Sequence, residues 1–451
     1  MGSFITLLAV ATGAYLAYSI LAVIYLLCFH RLARFSDKAL REQARIIESY
    51  ADSFMARIRR EMALSQTQGM VDLTKLYGYA AFDTITDLSL GESLCDGLEG
   101  LNEHGWVKNY FFHAKFSAIR TALSRFSPLD KVLGLALLSM TRKARQRNWK
   151  VITGALNRRL AKAKHEKGNE RADLLSPLVD RLGSFEGSGK GPTGSSTITP
   201  GETLSNGIAF VIAGTQLNTN VLSTATYLLL RHREKWDRLA DEVRTRFAAV
   251  EDITVQTTQD LPYLDATIDE ALRIRHPTPI NLPRAVPRGV SLVVDGQAIP
   301  EDVVVGINLQ SIQNDSSLWV EPRGFHPERF LPATHPLYEA RFEADVKDAF
   351  MPFSTGPRNC VGNKSVAPFD FHFHTSHCCT DADLAPFPAR LFFAQVRLLI
   401  ARVVWSFDLE QPRVGGEVPG ADNNDWLQQR AWFAFEPQPL WVKPVAPAPK
   451  P

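Results

Sequence analysis

The segment of residues 350–362 constrains this chain most, with the sequence Phe-Met-Pro-Phe-Ser-Thr-Gly-Pro-Arg-Asn-Cys-Val-Gly. One cysteine, Cys360, lies between Gly356 and Gly362, and Arg358 precedes it by two residues. Glycines allow a backbone to turn tightly and to approach a flat partner, and an arginine can pair with a carboxylate through its planar guanidinium. A thiolate held in such a loop is a suitable axial ligand for a haem iron, and the segment favours that arrangement.

The spacing of five residues in this segment resembles the haem-binding loop of the cytochrome P450 family. These residues are Phe353, Gly356, Arg358, Cys360 and Gly362. The resemblance implies a mainly α fold with a small β portion and haem b bound through the Cys360 thiolate. The alternative interpretation is a glycine-rich surface turn that contains a cysteine by chance.

The centre of a long predicted helix resembles the family pattern Ala/Gly-Gly-x-Asp/Glu-Thr. Ala213 and Gly214 match, whereas Gln216 occupies the acidic position and Leu217 the threonine position. The family uses these two positions to relay protons during oxygen activation. Asn218 and Thr219 are the candidates to substitute through water, and neither is in register. The resemblance implies that this helix crosses the haem face. The alternative is a plain buried helix with a glycine for close packing.

Three charged residues resemble the buried charge cluster of the family. Glu270 and Arg273 are three residues apart on one predicted helix face and can pair, and Arg329 lies in a later Phe-His-Pro-Glu-Arg-Phe segment. A buried carboxylate needs such partners to remain ionised, so their implied role is structural. By the same resemblance, Arg284 is expected to reach a haem propionate together with Arg358.

The predicted domain organisation is a transmembrane anchor at 1–30, a catalytic domain at 31–443 and a disordered tail at 444–451. The run from Phe4 to Phe29 is uncharged and long enough to cross a bilayer, which needs about 20 apolar residues. A buried core helix is the alternative. Basic residues favour the cytoplasmic side, so we expect a single-pass protein of the endoplasmic reticulum membrane with a cytosolic catalytic domain. The basic residues that follow the run are Arg31, Arg34, Lys38, Arg41 and Arg45.

Several elements are predicted from pattern and turn residues. We expect helices over 36–63 with Ser36 as N-cap, over 74–90, and from about Pro200 to Arg231. The Asp-Gly dipeptide in 291–300 predicts a β-hairpin, and a β-branched run follows it. The glycine- and serine-rich segment 183–198 predicts a flexible surface loop inside one domain.

Composition excludes some classes of protein. The chain has 451 residues and a formal net charge of +2, which gives no indication of nucleic-acid binding. Its five cysteines are sparse and irregularly spaced, so they do not predict a disulfide framework. A reduced, cytosol-facing domain fits this usage.

The sequence departs from the family pattern in two places. The anchor runs almost directly into Phe35 and Ser36, where the family has a hinge, its first helices and most of its first sheet. An atypical insert at 368–392 also separates the cysteine loop from the helix that normally continues it. The insert is interpreted as translated non-coding sequence, a tolerated loop or a metal site with an unusual ligand spacing. Its possible ligands are His372, His374, His377, Cys378, Cys379, Asp381 and Asp383.

The resemblance implies a monooxygenase that inserts one oxygen atom from O2 into a small apolar molecule. NADPH–cytochrome P450 reductase is the implied electron donor. The motifs are similar to those of fungal members that tailor terpenoids, polyketides or alkaloids. Gln216 and Leu217 leave open a haem-thiolate isomerase or dehydratase that needs no O2. The two departures leave open an inactive pseudoenzyme or a mis-predicted gene product.

Overall fold

The fold is taken from a computed structural model. It describes residues 31–64, 68–94, 98, 115–116, 118–123, 126, 129–165, 200–355, 359–360, 391–412 and 425–447. The described part of the chain is mainly helical, as the sequence predicts. Its helices are α1 Arg31–Met62, α2 Leu73–Leu90, α3 Leu129–His165, α4 Pro200–Arg231, α5 Arg233–Arg246, α6 Pro262–Ile274, α7 Leu309–Ile312 and α8 Leu391–Ser406.

The predicted helix limits are right in two cases and wrong in one. Helix α4 begins at Pro200 and ends at Arg231, and α2 ends at Gly91, which has φ 81°. Helix α1 instead begins at Arg31, so Ser36 lies inside the helix and is not its N-cap. Residues 31–35 contain no proline or glycine to stop the helix, and several of them have high helix propensity.

Small antiparallel sheets accompany the helices. The strands are β1 Val71–Asp72, β2 Leu282–Ala285, β3 Leu292–Val294, β4 Gln297–Ile299, β5 Val304–Ile307, β6 Asp408–Glu410 and β7 Trp441–Val445. They form a three-stranded sheet in the order β1-β7-β6 and two strand pairs, β2–β5 and β3–β4. The predicted hairpin is β3–β4, and its turn residues Asp295 and Gly296 both have positive φ, as a type I′ turn requires.

Helix α2 lies at the centre of the described core. Sixteen of its 18 residues are buried, so it is surrounded on all sides rather than amphipathic. It packs along α4 and against α1, and α8 packs against α1, α4 and α5. This arrangement places the middle of α4 between α2 and α8, which matters for the site below.

Strand β7 extends into the segment assigned to the C-terminal tail. Pro444 and Val445, assigned to a disordered tail, instead belong to β7, where Pro444 lies opposite Leu409 and Val445 opposite Asp408. Strand β1 pairs only with Trp441 and Val442, so Pro444 lies where β7 has a free edge and where a missing N–H is tolerated.

Several predicted segments lie outside the described residues. These are the anchor at 1–30, the loop at 183–198 and the insert up to residue 390. In the described ranges, no helix is both long and apolar enough to cross a membrane. Helix α8 begins at Leu391, so the last two residues assigned to the insert are helical.

Candidate functional site

The described part of the cysteine loop is fixed to the first turn of α8. The backbone N–H of Cys360 donates a hydrogen bond to the carbonyl oxygen of Phe353 over 2.9 Å. The ring of Phe353 lies 5.4 Å from that of Phe392 and 5.7 Å from that of Phe393, measured between centroids. Cys360 is half-buried and forms no disulfide. The described part of the loop therefore places the half-buried Cys360 next to Phe353, which packs against the first turn of α8.

Three other residues assigned to this loop cannot be placed. Gly356, Arg358 and Gly362 lie outside the described residues. Of the five residues assigned to the haem-binding loop, the structure describes Phe353 and Cys360.

The two amides predicted to face the haem are occupied by neighbouring elements. The Gln216 side-chain amide donates to the carbonyl oxygen of Phe435 over 3.0 Å. The Asn218 amide donates to the Gln395 side-chain oxygen over 2.6 Å, and Gln395 donates in turn to the carbonyl of Ala80 over 3.2 Å. Both side chains are buried, and they tie α4 to the C-terminal segment, α8 and α2.

Gly214 serves a close approach between helices. A Cβ atom at Gly214 would lie 2.6 Å from Cγ1 of Ile85 in α2, a distance that real side chains do not reach. The close packing that the sequence left open as an alternative for this glycine is therefore present.

An apolar stripe of α4 remains open. Ala209 and Ala213 are exposed and Leu217 is half-buried, and the three are spaced by four residues along one face of the helix. The stripe belongs to the same part of α4 as Asn218, which bonds Gln395 of α8. Gln395 lies one turn after Phe392, about 4.5 Å along the axis of α8. Helix α8 thus brings the cysteine loop and the middle of α4 close together.

These residues fit a haem. A flat apolar group needs an apolar surface, and the open stripe of α4 provides one. A haem iron accepts a thiolate, and Cys360 offers a thiol on a fixed loop. Arg284 in β2 is exposed, and within the described part of the chain its side chain bonds only the carbonyl of Pro283. Its guanidinium is therefore available for a carboxylate.

The predicted charge cluster comes together in the core. Glu270 accepts two hydrogen bonds from Arg273, over 2.6 and 2.8 Å, and one from Nε of Arg329 over 3.1 Å. All three side chains are fully buried. The His326 backbone N–H also donates to Glu270 over 2.9 Å. The cluster joins α6 to the irregular segment that leads to the cysteine loop.

A fourth member of this cluster was not predicted. The Asp345 carboxylate accepts from Nη1 of Arg329 over 2.7 Å and from Lys347 over 3.0 Å. Burial raises the pKa of Asp345, but hydrogen bonds from the Val320 N–H, Lys347 and Arg329 outweigh it, so this pKa lies below its usual range. Asp345 carries no recognisable spacing to Arg329, so only the folded chain brings them together.

A second buried carboxylate also escaped sequence analysis. Glu328 accepts from Lys235 over 3.0 Å and from the Tyr263 hydroxyl over 2.9 Å, and it pairs with Arg238. Burial raises the pKa of Glu328, and these donors together with its own backbone N–H outweigh that effect. In the sequence, the only indication of a role for Glu328 is its position next to Arg329. Glu328 anchors α5 and α6 to the same segment.

The possible metal site in the insert lies outside the described residues. Within the described ranges, no group of three or more His, Cys, Asp or Glu residues could hold a metal ion.

Comparison with known proteins identifies the family. The family model described as Cytochrome P450 matches residues 29–365. The chain is 30% identical to cytochrome P450 monooxygenase atr2 of Stereocaulon alpinum over 413 residues, which cover 91% of this chain and 70% of that protein. It is 29% identical to averantin hydroxylase and 28% identical to versicolorin B desaturase, both of Dothistroma septosporum. Those two alignments each cover 91% of this chain, and 67% and 68% of the relatives.

The chain belongs to the cytochrome P450 family. The mainly helical fold with small sheets is that of the family, and the named relatives are fungal enzymes of oxidative chemistry. The prediction of a cytochrome P450 monooxygenase is confirmed, and the family implies a haem iron cofactor, a small-molecule substrate and a redox partner.

Proposed function

We propose that this chain is a haem-thiolate monooxygenase that inserts one oxygen atom from O2 into an apolar small molecule of fungal secondary metabolism. A terpenoid, a polyketide or an alkaloid is the expected substrate class. The observation that carries the proposal is the Cys360 loop, in which Phe353 accepts the Cys360 N–H and Cys360 is half-buried with a free thiol. Haem b is the proposed cofactor, and when bound it supplies activation of O2 at its iron.

The residues of the chain have separate tasks in this proposal. The Cys360 thiolate would hold the haem iron, and Arg284 would bind a haem propionate. The stripe of Ala209, Ala213 and Leu217 excludes water and offers an apolar surface to the substrate. The amides of Gln216 and Asn218 hold α4 in place through their hydrogen bonds to Phe435 and Gln395.

The carbon monoxide difference spectrum of the reduced full chain tests the thiolate ligand. We expect the thiolate-shifted Soret band in the wild type and its loss in Cys360→Ala, because alanine offers no ligand to iron. Cys95→Ala is the matched control and should retain the band. A wild-type spectrum typical of histidine-ligated or free haem would refute the proposal and favour an inactive pseudoenzyme or a faulty gene model.

The proposed electron donor is NADPH through a membrane-bound NADPH–cytochrome P450 reductase, and the proposed location is the endoplasmic reticulum membrane. The 26 uncharged residues from Phe4 to Phe29 support an anchor there. We expect the full chain to resist carbonate extraction and a chain without residues 2–30 to be released. As a control, residues 1–30 fused to a soluble reporter should retain the reporter on membranes. Extraction of the full chain by carbonate would contradict the anchor.

A second candidate function is a haem-thiolate isomerase or dehydratase that needs no O2. Its support is that Gln216 and Asn218 are amides engaged in buried hydrogen bonds, and that Leu217 replaces a hydroxyl. The two functions differ in their need for reductant. Product formation that requires NADPH and a reductase would establish the monooxygenase, whereas equal turnover without them would establish the isomerase or dehydratase.

A further inference from the structure

The imidazole of His276 connects α6 to the cysteine loop. His276 follows Arg275 at the C-terminal end of α6, only 3% of its surface is exposed, and its Nε2 lies 2.9 Å from the carbonyl oxygen of Pro352. A carbonyl oxygen only accepts hydrogen bonds, so Nε2 donates to Pro352 in the tautomer that carries the proton on Nε2.

The other contacts of His276 fix the ring position. Nδ1 lies 2.9 Å from the Thr278 carbonyl oxygen and 3.1 Å from the Thr278 backbone nitrogen, whose N–H donates to Nδ1 when the proton is on Nε2. The His276 backbone N–H donates to the Gln310 side-chain oxygen over 2.7 Å, and Gln310 donates back to the carbonyl of Ile274 over 2.7 Å. The imidazole therefore has one orientation.

Pro352 is the residue before Phe353, which accepts the Cys360 N–H. Two consecutive carbonyl groups thus hold His276 on one side and Cys360 on the other. The imidazole holds the first carbonyl, and the packing of the Phe353 ring against Phe392 and Phe393 holds the residue that carries the second.

We propose that His276 is a positioning residue for the Cys360 thiolate, acting through the Pro352 carbonyl. It transmits the rigid placement of α6, set by the buried pairs of Glu270 with Arg273 and Arg329, to the loop that presents the thiol. The proposal depends on the proposed function in one respect, namely that Cys360 is the iron ligand. His276 touches neither substrate nor iron in this role.

Two substitutions separate the Nε2 donor from the rest of the imidazole. The glutamine of His276→Gln places an amide N–H near the position of Nε2 and can donate to Pro352. The asparagine of His276→Asn reaches only the position of Nδ1 and cannot. His335→Asn is the control. His335 lies away from the loop, and its Nδ1 accepts a hydrogen bond of 3.1 Å from the Leu337 N–H.

The first readout is amide hydrogen exchange of the full chain as purified, resolved at Cys360. We expect exchange at Cys360 to be about tenfold faster in His276→Asn, and close to wild type in His276→Gln and His335→Asn. Exchange in α2 should be the same in all four proteins. Equal rates at Cys360 in the Gln and Asn variants, or acceleration spread over the whole chain, would overturn the proposal.

The second readout is the carbon monoxide difference spectrum. In His276→Asn we expect part of the thiolate-shifted Soret band to be replaced by a Soret band at shorter wavelength. In His276→Gln we expect the thiolate-shifted band to be retained. A wild type without the thiolate band would refute the proposed function, yet the exchange comparison at Cys360 would still decide the role of His276.

Discussion

At the scale of single residues, the site depends on charges that water cannot reach. Arg329 bonds Glu270, Asp345 and the carbonyl of Val320, and its side chain is fully buried. Removing a charge from such a cluster leaves its partners buried without compensation, and this costs far more than losing a pair at the surface.

We predict that Arg329→Ala lowers the free energy of unfolding by about 3–5 kcal/mol, because Glu270 and Asp345 lose a shared partner. Urea denaturation of the full chain measures this change. Arg288→Ala is the control, since Arg288 and Asp302 form an exposed pair, and its midpoint should hardly move. Similar losses in both variants would mean that the buried cluster contributes no special stability.

At the scale of elements, α4 is held on two sides while one stripe stays open. Gly214 lets its backbone approach Ile85 of α2, and Asn218 bonds Gln395 of α8. In the proposed function, the open stripe is the surface that α4 offers to a cofactor and a substrate.

We predict that Gly214→Ala destabilises the chain by about 1–3 kcal/mol, because the new methyl group overlaps Ile85. Gly207→Ala on the same helix is the matched control. Its Cβ would meet Leu90 at 3.5 Å, an ordinary contact, so higher helix propensity should stabilise the chain by up to about 1 kcal/mol. Thermal unfolding measures both changes. A neutral Gly214→Ala would show that α2 and α4 can move apart.

At the scale of the whole molecule, Asp72 joins distant parts of the chain. Its carboxylate accepts the Leu440 N–H over 3.0 Å and the Lys75 N–H over 3.3 Å, where β1 meets β7 and α2 begins. Burial raises the pKa of Asp72 from 3.8 to about 6, and these hydrogen bonds offset only part of that effect. The folded chain therefore binds a proton at Asp72 more tightly than the unfolded chain.

The pH dependence of the free energy of unfolding follows from this upward shift of the Asp72 pKa. The contribution of Asp72 to stability is fully present below pH 3.8, falls as the pH rises toward about 6, and is then constant. The slope is at most about 1.4 kcal/mol per pH unit. Asp72→Asn keeps the acceptor oxygen and does not titrate. We expect the wild type to lose stability relative to this variant between pH 4 and pH 6, measured by urea denaturation. Parallel profiles would show that the Asp72 pKa is the same in both states.

The sequence by itself determined the features that depend on local order. The spacing around Cys360 identified the family, proline and glycine marked the limits of α4 and α2, and Asp295-Gly296 marked the hairpin. These features can be read from the sequence because ligand loops, helix ends and turns each use residues that are a few positions apart.

Only the tertiary structure decided what the polar side chains do. Gln216 occupies a position implied to move protons and Asn218 lies two residues further along, yet their partners Phe435 and Gln395 lie far away in sequence. Asp345 joined the charge cluster, and Pro444 became part of a strand, for the same reason. Hydrogen bonds and ion pairs between distant segments depend on how helices and strands pack, and a local pattern carries no record of that packing.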